Sequence, residues 1–102
     1  MKLDNLGRTL RVSAVKQLAA VNANEFRDWV RGSFVDGQKD IEVDLSQTTF
    51  LDSCGLGALV ALHKTATSRG GRLRLLSPQP QVHQLLNLTR MSQVFEIQQS
   101  QS

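Results

Sequence analysis

At 102 residues the chain is one domain's length. That is enough for a single modest core and too short for a second domain or a deep enclosed chamber. Hydrophobic residues make up 40% and charged residues 21%, a globular rather than a disordered composition. Twelve Lys and Arg against nine Asp and Glu leave a net charge of +3. The basic residues are scattered from Lys2 to Arg90, so no nucleic-acid footprint is expected. The one cysteine, Cys54, excludes an internal disulfide, and with only two histidines no zinc site is expected. No apolar run approaches the ~18 residues of a membrane span. Met1 to Asn5 lacks the apolar stretch of a signal peptide. The expectation is a soluble, cytoplasmic chain that needs no cofactor.

Residues Thr9 to Val15 alternate, with Leu10, Val12 and Ala14 opposed to Arg11 and Ser13. That is the pattern of a strand with one buried face. Asn22 followed by Glu25 reads as a capping box. It opens a helix with Phe26, Trp29, Val30 and Phe34 on one face, ending towards Gly37. A second strand runs from Ile41 to Leu45. A second helix starts at Asp52 or Ser53 and reaches Arg69, with Leu56, Leu59, Val60 and His63 near one stripe and Gly70-Gly71 as its stop. Arg72 to Leu76 is a third strand. Ser77-Pro78 reads as N-cap and first helical position of a third helix, with Val82, Leu85 and Leu86 as its apolar side. Val94 to Gln98 is a last short strand. The aromatics Phe26, Trp29, Phe34, Phe50 and Phe95 are expected in the core. Strands and helices alternate, which predicts an α/β sheet. Three strands carry charge on one face, so helices are expected on one side only. The polar tail, residues 99–102, is expected to fray.

The chemistry sits between Asp44 and Leu59. A strand ends, a polar loop follows, and a helix opens at Asp52-Ser53. Gly55 and Gly57 are poor helix formers within the first turns, so a close backbone approach, inside the fold or from a partner, is expected to favour them. Ser53 lies where a helix offers unpaired amides and its positive dipole end. A phosphate there adds close to two negative charges beside Asp52, which changes what surface can pack against it. The plainer reading is that Ser53 only caps the helix.

The segment Asp44-Leu45-Ser46, then Asp52-Ser53-Cys54-Gly55-Leu56-Gly57, resembles the STAS domain family, in particular free-standing anti-sigma factor antagonists. Leu75-Leu76-Ser77-Pro78, the helix from Val82 to Leu88, Val94-Phe95-Glu96-Ile97 and the Leu18 to Arg27 stretch extend the resemblance over nearly the whole chain. It implies a single STAS-type α/β domain over residues 1–98, with a mixed sheet of four to five strands and helices on one face. It further implies an ATP-using anti-sigma factor kinase that phosphorylates Ser53, and a PP2C-type phosphatase that resets it. ATP and metal would belong to those partners. The chain would be ligand and substrate rather than enzyme, with no nucleic acid or membrane partner, as a monomer or weak dimer. The partner-binding rim implied is Ala19, Asn22, Asp44, Ser46, Phe50, Leu51, Asp52, Cys54, Gly55 and Leu56.

The sequence departs from the family pattern at three places. Ala19 stands where many members carry an aspartate, Cys54 where Ser, Thr or Ala is common, and Arg90 where glycine is frequent. Loss of the carboxylate at Ala19 leaves a second reading open, a constitutive docking module in which Ser53 is only a cap. A redox role for Cys54 ranks far lower. Its nearest candidate base in sequence, His63, is nine residues along the same helix, about 14 Å at 1.5 Å per residue, and His83 could approach only through tertiary contact.

Overall fold

The computed structural model describes residues 1–99. In chain order the elements are β1 (Lys2–Leu6), β2 (Thr9–Ser13), β3 (Gln17–Leu18), α1 (Ala23–Ser33), β4 (Asp40–Asp44), β5 (Phe50–Leu51), α2 (Ser53–Ser68), β6 (Leu73–Leu76), α3 (Pro80–Leu88), a 3-10 turn (Met91–Gln93) and β7 (Glu96–Gln98). The main sheet has the order β1-β2-β4-β6-β7; β3 and β5 form a separate two-stranded sheet. The first pair is an antiparallel hairpin and the other pairs are parallel. The result is a mixed five-stranded sheet in an α/β domain.

The alternating residues sort as expected. Leu10, Val12, Ile41, Val43, Leu73 and Leu75 are all buried. They pack with Phe26, Val30, Leu59, Leu62 and Leu86 in one core, each such side chain contributing roughly 1.5–3 kcal/mol on burial. The opposite face is polar and self-neutralised. Arg11 stands in register with Glu42, Glu42 with Arg74, and Arg74 with Glu96. Their charged atoms meet at 2.8, 3.2 and 3.0 Å. Burial pulls the Arg74 pKa down, but the carboxylates of Asp40, Glu96 and Glu42 outweigh it and hold the guanidinium charged.

Several expectations are corrected. β1, β3 and β5 were not legible, being an edge strand without clean alternation and two strands of two residues each. Strand β2 stops at Ser13 because Ala14 takes a left-handed φ of 57°; it does not continue to Val15. The last strand starts at Glu96 because Met91–Gln93 forms a 3-10 turn. Asn22 occupies the N-cap position of α1, yet no capping box forms. Its Oδ1 instead accepts the Ala19 N–H at 2.9 Å and its Nδ2 donates to the Gln17 carbonyl. The third helix begins at Pro80, with Gln79 as N-cap. Ser77 instead takes a left-handed φ of 50° and donates its N–H to the Gln98 carbonyl, which ties it to the sheet. The buried stripe of α2 runs through Gly55, Ala58, Leu59, Leu62 and Ala66; Leu56 and Val60 lie at its margin and His63 is half-buried. Phe26, Phe34 and Phe95 are in the core, but Trp29 and Phe50 are 38% and 54% exposed. The expected tail falls mostly outside the described residues.

Candidate functional site

The site is assembled at the N-terminus of α2. Thr48, fully buried, donates its hydroxyl to the Val15 carbonyl and holds the loop after β4 against the end of β2. The chain then pairs β5 with β3, Gln17 opposite Phe50 and Leu18 opposite Leu51. Alternation across this short strand sends Leu51 into the core and leaves Phe50 outside. Asp52 follows as the N-cap. Its N–H donates to the Leu18 carbonyl at 3.3 Å. Its Oδ1 accepts the Gly55 N–H at 2.9 Å, and its Oδ2 accepts the Ala20 N–H at 3.1 Å. One carboxylate thus caps the helix and clamps the turn between β3 and α1 beside it.

Above all, the Gly55 N–H holds the Asp52 carboxyl below the usual carboxylate range. Desolvation pushes the other way, and the Ala20 amide adds to the lowering. A carboxylate depressed on folding contributes stability above its unfolded pKa and loses it as pH falls through the folded value. Asp52→Asn is therefore expected to be less stable than the parent at neutral pH, because an amide cannot accept both N–H groups as a charged carboxylate does. Below about pH 4, near the unfolded Asp value, the gap between the two should narrow. Urea unfolding of both proteins at neutral and acid pH measures this; a gap independent of pH contradicts the assignment.

Ser53 is the first residue of α2 and is exposed, as is Cys54. The two glycines that follow part company. A Cβ on Gly55 would lie 2.1 Å from the Leu18 carbonyl oxygen, whereas one on Gly57 would meet nothing within 4 Å. Gly55 is thus required by the fold. Of the residues expected on the partner rim, Phe50 and Cys54 are exposed on either side of Ser53, the expected phosphorylation site, while Asp52, and Asn22 in the adjoining turn, are half-buried. Ala19, Leu51 and Gly55 are buried and shape the rim from beneath. Leu56 is partly buried against the core. Asp44 points to the open sheet face, where its Oδ1 accepts the Ser46 N–H at 2.9 Å. There it lines, with Arg11, Glu42, Ser46 and Leu76 among others, a shallow cavity of about 380 Å³. Val21, 75% exposed, lies in the turn the carboxylate clamps, and sequence reasoning did not single it out. Its signal was a large apolar residue outside any strand or helix periodicity. Among the described residues no group of three or more His, Cys, Asp or Glu is placed to hold a metal ion. No described helix is long and apolar enough to cross a membrane.

A profile of the STAS domain matches residues 1–102. The chain belongs to the STAS domain family. Over 83 residues it is 35% identical to a Thermotoga maritima protein whose name proposes an anti-sigma factor antagonist, covering 80% of this chain and 74% of that relative. A crystal structure from the same organism, under a similar description, superposes on this STAS domain with a TM-score of 0.89 at 29% identity, covering 97% of this chain and 86% of the other. The anti-sigma factor antagonist SpoIIAA in its unphosphorylated form superposes with a TM-score of 0.84 at 17% identity, covering 99% and 88%. That last likeness is one of fold. The STAS domain fold expected from the sequence is the one observed.

Proposed function

We propose that this STAS domain is an anti-sigma factor antagonist switched by phosphorylation of Ser53. In this reading the unmodified chain binds an anti-sigma factor that is also an ATP-dependent serine kinase. Phosphorylation releases the chain, and a PP2C-type phosphatase restores it. The observation that carries the reading is the placement of Ser53: an exposed hydroxyl on the first residue of α2, directly after the aspartate that fixes the helix start. Exposed Phe50 is close by in sequence, and exposed Val21 adjoins Ala20, whose amide binds that same aspartate. An apolar rim with a phosphorylatable hydroxyl in it suits a reversible contact. Adding an anion there changes the contact without refolding the chain.

The chain contributes position rather than chemistry. The Asp52 carboxylate anchors the helix start through Gly55 and Ala20, so the Ser53 hydroxyl is presented at a fixed place to the partner's nucleotide. As the Ser53 Oγ bonds to the γ-phosphorus of the partner's ATP, the bond to the bridging oxygen breaks, ADP leaves, and the hydroxyl proton passes to a base of the partner or to water.

The test is incubation with each purified anti-sigma factor kinase of the same cell, ATP and magnesium, with the modified residue mapped by mass spectrometry. The expected product carries one phosphate, on Ser53, and Ser53→Ala carries none. Modification confined to another residue contradicts the site. The absence of a carboxylate at Ala19 favours the constitutive docking module, and stable binding by a kinase that never modifies the chain would select that reading instead.

A further inference from the structure

We infer that the partner's contact continues one turn beyond Ser53 along α2 and brings partner main chain against Gly57. The inference rests on the docking reading above and deepens it by naming the neighbouring contact and its chemistry.

Gly57 has no reason internal to the fold. It lies inside α2 with no left-handed φ, is exposed, and a Cβ there would meet nothing within 4 Å. Glycine is nonetheless among the poorest helix formers. Gly55, two residues earlier, is the contrast, since the Leu18 carbonyl fills the space its side chain would need. Ser53 and Gly57 are four residues apart, hence on one helix face, about 6 Å apart along the axis. An external backbone that runs from Ser53 along this face passes Gly57, where a bare Cα lets it approach closely.

The flanks define the occupant's character. Phe50 is 54% and Val21 75% exposed. The Ala20 amide bonded to Asp52 at 3.1 Å holds the Val21 turn beside the helix start. Within residues 19–22 and 49–57 the single charged side chain is Asp52, and its oxygens already accept two main-chain N–H groups. Phe50 and Val21 are the apolar points of this surface, set among the uncharged polar residues Asn22, Thr49 and Ser53, with exposed Lys16 at its edge beside Thr49. The surface fits a protein segment that covers Phe50 and Val21 with apolar side chains and lays its main chain along Gly57. Binding of the unmodified chain should then depend only weakly on salt.

The test pairs stability with affinity. Gly57→Ala and Gly57→Gln both install better helix formers in open space, so each should raise Tm, by about 4–8 °C for alanine. Affinity for the kinase that modifies Ser53 should fall with side-chain size, about tenfold for alanine and about a hundredfold for glutamine. Stabilised variants that bind like the parent overturn the inference. So does a variant less stable than the parent, because the space would then be occupied within the fold. Ser53→Asp, measured alongside, separates the two claims. If it alone weakens binding, the switch stands and the Gly57 contact does not. If the Gly57 variants alone weaken binding, the docking surface stands without the switch.

Discussion

Gly55→Ala is expected to lower stability by about 2–3 kcal/mol, the range of overpacking a well-filled site, or roughly 10–20 °C in Tm for a domain of this size. Two effects compete. Alanine favours the helix by about 1 kcal/mol over glycine. Against this, the new Cβ would lie 2.1 Å from the Leu18 oxygen, 2.8 Å from the Leu18 carbonyl carbon and 2.6 Å from Leu51 Cδ1. The first two are backbone atoms of β3, which is fixed by pairing with β5 and by the Asp52 N–H. They cannot rotate away, so the steric effect wins. The expected damage is also local. Pushing β3 from α2 separates Ala20 from Asp52 and loosens the helix start that presents Ser53. Thermal or urea unfolding measures the first effect, and amide exchange at Ala20 and Gly55 the second. Stability at or above that of the parent would contradict the close approach.

Ser53→Asp is expected to weaken binding of the anti-sigma factor kinase at least tenfold, while Ser53→Ala binds about as well as the parent. In the proposed reading the partner covers the rim around Ser53. A carboxylate at position 53 stands next in sequence to Asp52, whose own charge is held by two amides. The two like charges repel. The free chain relieves much of this with water and salt, and covering the rim removes the water. A residual of about 1.4 kcal/mol is a tenfold change. A true phosphate carries about −1.5 to −2 charges and should do more. Isothermal titration of the two variants measures the difference; equal affinities favour the constitutive docking module.

Much of the fold could be read from the residues because its main strands have one wet face. Leu10 and Val12, Ile41 and Val43, and Leu73 and Leu75 alternate with charges that pair across the sheet. The short strands could not be read, since β3 and β5 exist only as a pairing between segments some thirty residues apart, and two residues have no period. The same pairing explains Phe50, which turns outward because Leu51 must turn inward. At the site, the serine and its capping aspartate were legible from type and order. The second bond of Asp52, to Ala20, was not, because it depends on where the β3 turn lands. Asn22 shows a local rule overruled. It occupies the N-cap position, yet its side chain closes the turn onto Gln17 and Ala19. Gly55 and Gly57 look alike in sequence and differ only once Leu18 is in place.

The decisive measurement is the affinity of the anti-sigma factor kinase for two preparations of the same chain, one unmodified and one carrying a phosphate on Ser53. The account predicts tight binding of the first and a loss of about a hundredfold or more in the second, restored when a phosphatase removes the group. Indistinguishable affinities would contradict it and leave Ser53 as the opening residue of a helix.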